Sequence, residues 1–432
     1  MPDLGPSPLT RSDELPFAAA RAAIDAALQP LRSLQRRVSE LVPLTQADGR
    51  ILAEDLVSPI AVPAHDNSAM DGYAFRGQDL QASADTRLHV EPGTVMAGAP
   101  HVAAVAVGAC IRIMTGAVMP HGLDTVVPVE LCRVDGAQLH IAAGVLHSGE
   151  NRRQRGEDLA LGGIALTAGR VLRPADVGLV ASLGLAQVAV VQRLRVALFS
   201  TGDELRQPGE TPAPGSIYDS NRFSLMAALQ RLGVEVHDLG AVPDDPAALR
   251  ATLHKAVSTC DTVVTSGGVS MGDADYTRQL LSEMGEVAFW KVAMRPGRPF
   301  AFGPLRAADG RRPFLFALPG NPVAALVTYY AFVRDVLLLL AGAQPQPLPV
   351  LRARSVAAIR KRPGRTELQR AVVYQATEGD AEGEWQVRLT GSQGAGILRS
   401  MSEANALLVL GHDQASVAAG DWVEVWLFDG LI

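Results

Sequence analysis

The sequence contains few cysteines and very few lysines for its length. Only Cys110, Cys132 and Cys260 occur in 432 residues, and they form no CxxC pair. Their scatter excludes a disulfide framework, argues against a zinc site and predicts a reducing compartment. Lysine occurs only at positions 255, 291 and 361, so arginine supplies nearly all of the positive charge. A lysine that is kept in such a chain is therefore a candidate for a specific role.

The chain also lacks an excess of positive charge. It has 39 Lys and Arg against 45 Asp and Glu, which gives a net charge of -6. This balance provides no general electrostatic footprint for nucleic acid or an acidic membrane, and we expect neither as a partner. The basic stretch 352–370 lacks aromatic platforms for bases, which makes RNA binding a weak interpretation.

Long uncharged apolar runs and a secretory signal are absent as well. Residues 1–10 have no basic region followed by an apolar segment. The most apolar stretch, residues 323–342, carries Arg334 and Asp335 in its middle, so we expect a buried helix rather than a membrane span. With 48% hydrophobic and 19% charged residues, the chain is neither disordered nor a coiled coil. We predict a cytoplasmic protein of several compact domains.

Patterning divides the chain into regions of different character. Residues 15–41 favour a helix that Pro30 should end or kink, and a second helix is expected over 45–55. Residues 58–148 indicate mostly β-structure, with a hairpin at Asp135-Gly136. From 193 to 342 strands alternate with helices, which predicts βαβ units around a parallel sheet. Residues 346–432 return to short strands.

Three polar loops follow predicted strands of the α/β region. Ligands of open α/β sheets bind at the carboxyl ends of strands, and glycine-rich turns and helix N-termini suit phosphates. A single such loop is more often an ordinary turn, but three on neighbouring strand ends predict a phosphate-binding site. None contains GxGxxG or GxxxxGK[ST], which argues against a nicotinamide or nucleotide-triphosphate fingerprint. The loops are residues 200–204, 265–275 and 318–322, and the predicted binding residues are Ser266, Gly267, Gly268, Ser270, Pro319, Gly320, Asn321 and Pro322.

Carboxylates gather beside these loops. Glu204, Asp244 and Asp275 lie at or just beyond predicted strand ends, where oxygen ligands would suit Mg²⁺. Helix capping is the alternative for each, and for Asp244 and Asp245 it has equal weight. Lys291 and Arg295 share one face of a predicted strand and could hold an oxyanion or a phosphate. A solvated edge strand is the alternative for that pair.

The ordered set of motifs resembles the molybdopterin molybdenumtransferase (MoeA) family, which is related to the C-terminal part of gephyrin. The resemblance extends in order from about residue 15 to the C-terminus. It is carried by DNSAMDGYA, CIRIMTGA, RRQRGED, FSTGDEL, YDSNR, TSGGVSMGDADY, FWKVAMRPGRPFAFG and LPGNPVAA.

This resemblance implies a multidomain α/β plus β fold. It implies a discontinuous linker domain (1–58 and 149–190), a β-rich inserted lobe (59–148), a molybdopterin-binding α/β domain with a parallel-dominated sheet (191–344) and a C-terminal β-barrel (345–432). It further implies a homodimer with the site near the subunit interface, and the molybdopterin adenylyltransferase as a partner.

The implied reaction belongs to molybdenum cofactor biosynthesis. Molybdate is inserted into adenylylated molybdopterin with release of AMP, and Mg²⁺ or a similar divalent cation assists. Glu204, Asp244 and Asp275 are the expected metal ligands. The implied catalytic positions are Asp71, Thr115, Asp158, Glu204, Asp244, Asp275, Lys291, Arg295 and Arg370, with Pro319 and Pro322 in the same set.

Two positions depart from the family pattern. Arg295 stands where many relatives have lysine, so a planar fork replaces a compact ammonium. Ala395 stands where relatives often have a serine thought to touch the oxyanion, which leaves Ser392 or Ser400 as substitutes. Two alternative functions remain open at this point: a non-catalytic molybdopterin-binding scaffold, and a phosphoanhydride hydrolase on the same core.

Overall fold

The computed structural model describes residues 14–32, 38–81, 83–268, 274–344, 349–378 and 382–428. Contacts divide the chain into two compact units. The first unit comprises Met1–Leu41, Gly49–Ala53 and Ala189–Ile432, and the second comprises Val42–Asp48 and Glu54–Val188. The division into four domains stays a prediction.

Helices are few and mostly short. In chain order they are α1 (Phe17–Arg32), α2 (Pro174–Ser182), α3 (Ser220–Arg231), α4 (Pro246–Thr259), α5 (Ala274–Met284), α6 (Pro322–Thr328), α7 (Arg334–Leu340) and α8 (Leu398–Ser402). Single 3₁₀ turns occur at Leu44–Gln46, Gly77–Asp79 and Val129–Leu131, and a π-helical segment at Tyr329–Val333 joins α6 to α7.

Strands make up much of both units. In chain order they are β1 (Leu15–Pro16), β2 (Ser39–Pro43), β3 (Leu56–Val57), β4 (Asn67–Ser68), β5 (Gly72–Phe75), β6 (Thr86–Val95), β7 (Ala109–Ile113), β8 (Thr125–Pro128), β9 (Cys132–Asp135), β10 (Gln138–Ile141), β11 (Arg152–Arg153), β12 (Ile164–Leu166), β13 (Gln187–Val191), β14 (Arg195–Thr201), β15 (Leu205–Arg206), β16 (Ile217–Tyr218), β17 (Glu235–Val242), β18 (Thr262–Ser266), β19 (Ala288–Arg295), β20 (Pro299–Pro304), β21 (Phe314–Leu318), β22 (Val350–Ser355), β23 (Thr366–Gln375), β24 (Trp385–Leu389), β25 (Ala406–Leu410) and β26 (Trp422–Leu427).

The first unit is built on a mixed sheet in the order β17-β14-β18-β21-β20-β19. The first four strands are parallel, and β20 and β19 continue the sheet antiparallel. Strand β18 is buried along its whole length, as expected for a parallel strand covered by helices on both faces. The carboxyl ends of β14, β17, β18 and β21 therefore lie at one edge of the sheet.

A closed five-stranded barrel continues from this sheet. Its strands pair around the ring β22-β24-β23-β25-β26-β22. Strand β23 also pairs in parallel with β19, with Met294 opposite Thr366 and Arg295 opposite Glu367. The barrel and the α/β sheet are thus joined by a shared ladder of backbone hydrogen bonds.

The apolar segment 322–340 lies in the core of the first unit. By length and composition this helix could cross a membrane, but 78% of its most apolar window is buried inside the protein. Tyr329, Phe332 and Leu337 belong to the main core cluster, together with residues of α1 and of the sheet. Its expected assignment as a buried helix is confirmed.

Helix α1 ends at Arg32, two residues after Pro30, which agrees with the expectation that this proline ends the first helix. Ala20, Ile24 and Leu28 pack one face of the helix into the core. The expectation of a second helix is wrong. Residues 45–55 form no helix beyond the 3₁₀ turn. The Ile51 carbonyl instead accepts from the Val191 N–H, and the Ala53 N–H donates to the Ala189 carbonyl, so long-range pairing overrides local helix propensity.

The second unit contains a six-stranded sheet in the order β8-β5-β7-β6-β10-β9. The predicted hairpin is present as β9 and β10, with Asp135 opposite Gln138. Gly136 adopts a φ of 58°, as the first loop position of a tight hairpin requires. The strand pairs β11/β4 and β12/β3 also belong to this unit.

Candidate functional site

The ends of the parallel strands surround one large cavity of about 950 Å³. All three predicted loops contribute to its wall, as their shared sheet edge requires. From these loops the lining residues are Ser200, Thr201, Gly202, Glu204, Ser266, Gly267, Gly268, Pro319, Gly320, Asn321 and Pro322. Ser270, also predicted for phosphate binding, lies outside the described residues.

Two glycines let the second loop pass close to the first. Gly267 and Gly268 have φ values of 94° and 69°, a region that L-residues rarely adopt. A Cβ atom on Gly267 would lie 2.5 Å from the Thr201 carbonyl oxygen. The Thr201 hydroxyl is buried and has no hydrogen-bond partner within the described chain. Close backbone packing thus brings the two loops together at the cavity.

The acidic wall of the cavity contains Glu204 and Asp244. The Asp244 backbone N–H donates to Asp203 Oδ1 at 3.1 Å, which ties the first loop to the end of β17. Asp245 caps α4 by accepting from the Ala248 N–H at 2.7 Å, so the expected capping role falls to Asp245. The described residues contain no group of three or more His, Cys, Asp or Glu that could hold a metal ion. Asp275 lies in the first turn of α5, and its side chain is outside the description.

Three arginines also line the cavity. Arg295 is the last residue of β19, Arg298 follows that strand and forms an ion pair with Glu14, and Arg365 directly precedes β23. Lys291 is half-buried in β19, opposite Pro299, and is not part of the cavity wall. Four residues of strand separate Lys291 from Arg295, a distance of about 13 Å, and their position on one face of the strand stays a prediction. The structure therefore brings Arg295, and not Lys291, to the three loops.

A smaller side cavity of about 270 Å³ lies next to the large one. Arg295 and Gln393 line both cavities. Arg360 and Arg370 also line the side cavity, with Glu367 as its carboxylate. Because Glu367 accepts from Arg365 Nε at 3.1 Å and from Gln369 Nε2 at 2.8 Å, its charge is already engaged.

Arg370 is fully buried at the wall of this side cavity. Its Nε donates to Ser400 Oγ at 3.1 Å, and its Nη2 donates to the Gly394 carbonyl at 3.0 Å. Burial and the nearby positive charge of Arg295 lower the pKa of Arg370 to about 10. The guanidinium therefore stays protonated at neutral pH, and no carboxylate among the described residues pairs with it.

The hydroxyl of Ser400 is committed to the protein. Ser400 Oγ donates to the Ile397 carbonyl at 2.7 Å while it accepts from Arg370. A hydroxyl has one hydrogen to donate, so none remains for an oxyanion in this arrangement. Ala395 lines the large cavity, and its carbonyl accepts from the Val323 N–H at 3.0 Å in the first turn of α6.

The remaining predicted positions lie in the second unit. Thr115 donates to Asp71 Oδ1 through its backbone N–H and its hydroxyl, each at 2.7 Å. The backbone hydrogen bond and then the hydroxyl hold the pKa of the Asp71 carboxyl below its usual value. Asp158 is exposed, and its N–H donates to the Val62 carbonyl. Asp71 and Thr115 thus form a preorganised pair on the surface of this unit.

Sequence reasoning about single residues missed Asn221 and Gln393. Asn221 lines the large cavity from α3, and its Nδ2 donates to Ser266 Oγ and to the Gly320 carbonyl, both at 2.7 Å. Gln393 accepts from the Arg370 N–H at 2.9 Å and donates to the Arg370 carbonyl at 3.0 Å. The motif YDSNR contained Asn221, but nothing local indicated which loops it would reach.

Comparisons with known proteins agree with this architecture. Residues 15–184 match the MoeA N-terminal region (domain I and II), 197–338 match a probable molybdopterin binding domain, and 352–428 match the MoeA C-terminal region (domain IV). A molybdopterin molybdenumtransferase from Haemophilus influenzae is 39% identical over 91% of this chain and 95% of its own length. The chain belongs to the MoeA family.

Other members of the MoeA family extend over most of the chain as well. Molybdopterin molybdenumtransferase 2 of Mycobacterium tuberculosis is 35% identical over 92% of this chain and 99% of its own length. The crystal structure of the molybdopterin biosynthesis moeA protein from Pyrococcus horikoshii OT3 superposes with a TM-score of 0.76, at 28% identity, covering 96% of this chain and 100% of its own. A second crystal structure of that protein gives a TM-score of 0.72 at 30% identity, covering 96% of this chain and 99% of its own.

Proposed function

We propose that this MoeA family member is a molybdopterin molybdenumtransferase. It takes molybdate and adenylylated molybdopterin, releases AMP and places molybdenum on the dithiolene sulfurs. The observation that carries the proposal is the large cavity that three strand-end loops line together with three carboxylates and three arginines, namely Glu204, Asp219, Asp244, Arg295, Arg298 and Arg365. An elongated, doubly anionic substrate with a phosphoanhydride fits such a surface, because phosphates suit the loops and helix N-termini.

In this proposal the loops hold the substrate phosphates. The Gly267-Gly268 turn and the Pro319–Pro322 loop present backbone groups to the phosphates and to the pterin. Arg295 balances the negative charge, since charge-assisted contacts from guanidinium groups are among the stronger hydrogen bonds. Arg298 lies beside it and is paired with Glu14. Fixed donors at a site that binds charge also stabilise charge that develops as the anhydride is cleaved.

The carboxylates fit a divalent cation such as Mg²⁺. Glu204 and Asp244 line one wall of the same cavity, and Mg²⁺ is usually held by one or two carboxylates with substrate phosphates and water. We propose that both residues hold the cation, and Asp275 with them. When bound, the ion neutralises charge on the phosphoanhydride.

We propose that molybdate enters the side cavity. Arg295, Arg360 and Arg370 line it, and its carboxylate, Glu367, is engaged by other side chains. A dianion of tetrahedral shape would relieve the repulsion between the guanidinium groups. Arg295, which belongs to both cavities, would then lie between the oxyanion and the pterin substrate.

Further parts of the proposal rest on the family resemblance. They are roles in catalysis for Asp71, Thr115, Asp158 and Lys291, a homodimer as the working assembly, a cytoplasmic location and receipt of substrate from the molybdopterin adenylyltransferase. Analytical ultracentrifugation tests the dimer directly, because a monomeric sedimentation coefficient at micromolar concentration would overturn it.

The decisive experiment measures AMP release from adenylylated molybdopterin in the presence and absence of molybdate and Mg²⁺. A molybdenumtransferase should release AMP in a molybdate-dependent manner and form an active cofactor that reconstitutes a molybdenum enzyme. Vigorous AMP release without molybdate, or cleavage of ordinary dinucleotides, would instead favour a phosphoanhydride hydrolase. Binding of the pterin without any AMP release would favour a scaffold.

A further inference from the structure

Asn221 occupies a rigidly fixed position at the large cavity. It lies in the first turn of α3, whose N-cap Asp219 accepts from the Arg222 N–H and from Ser200 Oγ at 3.0 Å. Asp219 and Arg222 also form a buried ion pair at 3.0 Å. These contacts join the start of α3 to the end of β14, so the Asn221 backbone has little freedom to move.

The side-chain amide of Asn221 connects two of the three cavity loops. Its Nδ2 donates to Ser266 Oγ in the second loop and to the Gly320 carbonyl in the third, both at 2.7 Å. Ser266 Oγ donates onward to the Pro319 carbonyl at 3.1 Å. The amide orientation is determined, because a backbone carbonyl can only accept and so must face the NH₂ group.

This orientation leaves the other end of the amide open. Asn221 is half-buried in the cavity wall, and its Oδ1 receives no hydrogen bond from the described part of the chain. Both hydrogens of Nδ2 are used by the protein, which prevents a flip without loss of two hydrogen bonds. The cavity therefore holds a preoriented neutral acceptor among loops that otherwise suit anions.

We infer that Asn221 positions the substrate by two linked actions, an inference that rests on the proposed function. Its amide nitrogen holds the second and third loops at a fixed separation, and its Oδ1 accepts a hydrogen bond from an amino or ring N–H of the bound substrate. Both the pterin and the adenine carry an exocyclic amine, so either heterocycle supplies the matching donor. The residue thereby selects a substrate with an N–H edge at this point.

The test compares Asn221→Asp and Asn221→Ala with Gln230→Glu. The first variant replaces the donor by a carboxylate that repels the Gly320 carbonyl, and the second removes the amide without adding charge. Gln230, exposed near the other end of α3, provides the same amide-to-carboxylate change away from the cavity. Steady-state AMP release gives the KM for adenylylated molybdopterin and the KM for molybdate separately.

The inference expects the KM for adenylylated molybdopterin to rise about 10-fold or more in both Asn221 variants, the usual loss for hydrogen bonds in a binding site. The KM for molybdate should stay close to that of the Gln230→Glu protein. An unchanged KM for the pterin substrate would overturn the inference. An equal rise in both KM values would also overturn it, because that outcome indicates general loosening of the site.

Calorimetric binding separates this inference from the proposed function. AMP and molybdopterin are titrated individually into the wild-type and Asn221→Ala proteins, so no turnover is needed. Weaker binding of AMP assigns the N–H donor to adenine, and weaker binding of molybdopterin assigns it to the pterin. Unchanged affinity for both ligands overturns the inference, even if the wild-type protein releases AMP normally.

Discussion

Arg295 and Arg370 line the same side cavity, and the pKa of Arg370 is lowered by burial and then by the charge of Arg295. Arg360 lines this cavity too, and guanidinium groups that share one cavity without a free carboxylate repel one another unless an anion binds between them. Arg370 is held in place by carbonyl and hydroxyl oxygens rather than by an ion pair, so its charge remains available. The arrangement suits a dianion and would repel a cation.

The first prediction concerns this pair. Arg295→Ala should raise the KM for molybdate about 10-fold or more, since a hydrogen bond to a charged group is worth about 1.5–3 kcal/mol. Arg295→Lys keeps the charge but not the planar fork, so its effect should be smaller. Initial rates of AMP release over a range of molybdate concentrations give both values.

The control for that experiment is Arg388→Ala, which removes an exposed arginine from β24 in the barrel. It carries the same change of charge and should retain the wild-type KM for molybdate. If Arg295→Ala and Arg388→Ala raise the KM for molybdate equally, only the net charge of the protein affects binding. The side cavity would then not be the molybdate site.

The second prediction concerns Gly267. Alanine there would place a Cβ atom 2.5 Å from the Thr201 carbonyl oxygen in a backbone with a φ of 94°. We expect Gly267→Ala to lower the free energy of unfolding by about 2–5 kcal/mol, the sum of a left-handed conformation and local overpacking. Urea denaturation followed by circular dichroism measures the loss.

Gly209 provides the matched comparison, because its φ of 97° is nearly the same but its Cβ would meet no atom within 4 Å. Gly209→Ala should therefore cost only the backbone term, about 1–2 kcal/mol. If the two variants are equally stable, the close approach of the first and second loops does not contribute to the free energy of unfolding.

The third prediction concerns the pH dependence of Asp71. Its folded pKa is lowered from 3.8 mainly by the Thr115 backbone N–H and then by the Thr115 hydroxyl. The carboxylate is therefore ionised above its ordinary pKa and is protonated only as pH falls through the lowered value. Thr115→Val removes the hydroxyl, so the Asp71 pKa should rise part of the way towards 3.8.

Carbon-13 NMR of the Asp71 carboxyl follows this titration. The range is pH 2 to 6, about two units on either side of an ordinary aspartate pKa. Thr115→Ser keeps a hydroxyl and should preserve the lowered pKa. A Thr115→Val midpoint identical to that of the wild-type protein would mean that the hydroxyl does not stabilise the carboxylate in solution.

The fourth prediction concerns the buried ion pair below Asn221. Arg222 and Asp219 are 4% and 1% exposed, and Arg222 also contacts the carboxylate of Asp238. Arg222→Met leaves a buried carboxylate without its partner, which should cost about 3–5 kcal/mol of unfolding free energy. Arg231→Met, at the exposed end of the same helix, should change stability by less than about 0.5 kcal/mol. Calorimetric unfolding compares the two, and similar losses would refute a special role for the pair.

The α/β core was predictable because its strands and helices carry local signals. The stretches DTVV and DPAALRATLHKAV predict the strand and helix that the structure shows at Thr262–Ser266 and Pro246–Thr259. The meeting of three loops follows from parallel topology, since such strands end at one edge. In this core the hydrophobic pattern of the sequence reflects burial, so it predicts the strands and helices that the structure shows.

Other features depended on distant partners and could not be predicted locally. Residues 45–55 favoured a helix, but hydrogen bonds from the Ala189 and Val191 region determine their conformation. The side cavity is lined by residues of the barrel region, so it forms only when the barrel strands pair. Its wall also depends on the hydrogen bond between the Arg370 N–H and Gln393. Asn221 acts through loops 45 and 99 residues away, a relation that no spacing in the sequence indicates.

The ladder between β19 and β23 has a consequence for how this chain can be divided. Arg295 lies opposite Glu367 at that junction, so a residue that lines both cavities is also at the seam between sheet and barrel. Deleting the barrel would remove one neighbouring strand from β19 and expose its unpaired backbone groups beside the cavities. Exposed strand edges of this kind promote aggregation. The barrel therefore cannot be removed without affecting the α/β sheet. Truncated or chimeric proteins need a substitute strand beside β19 to keep the cavity walls in place.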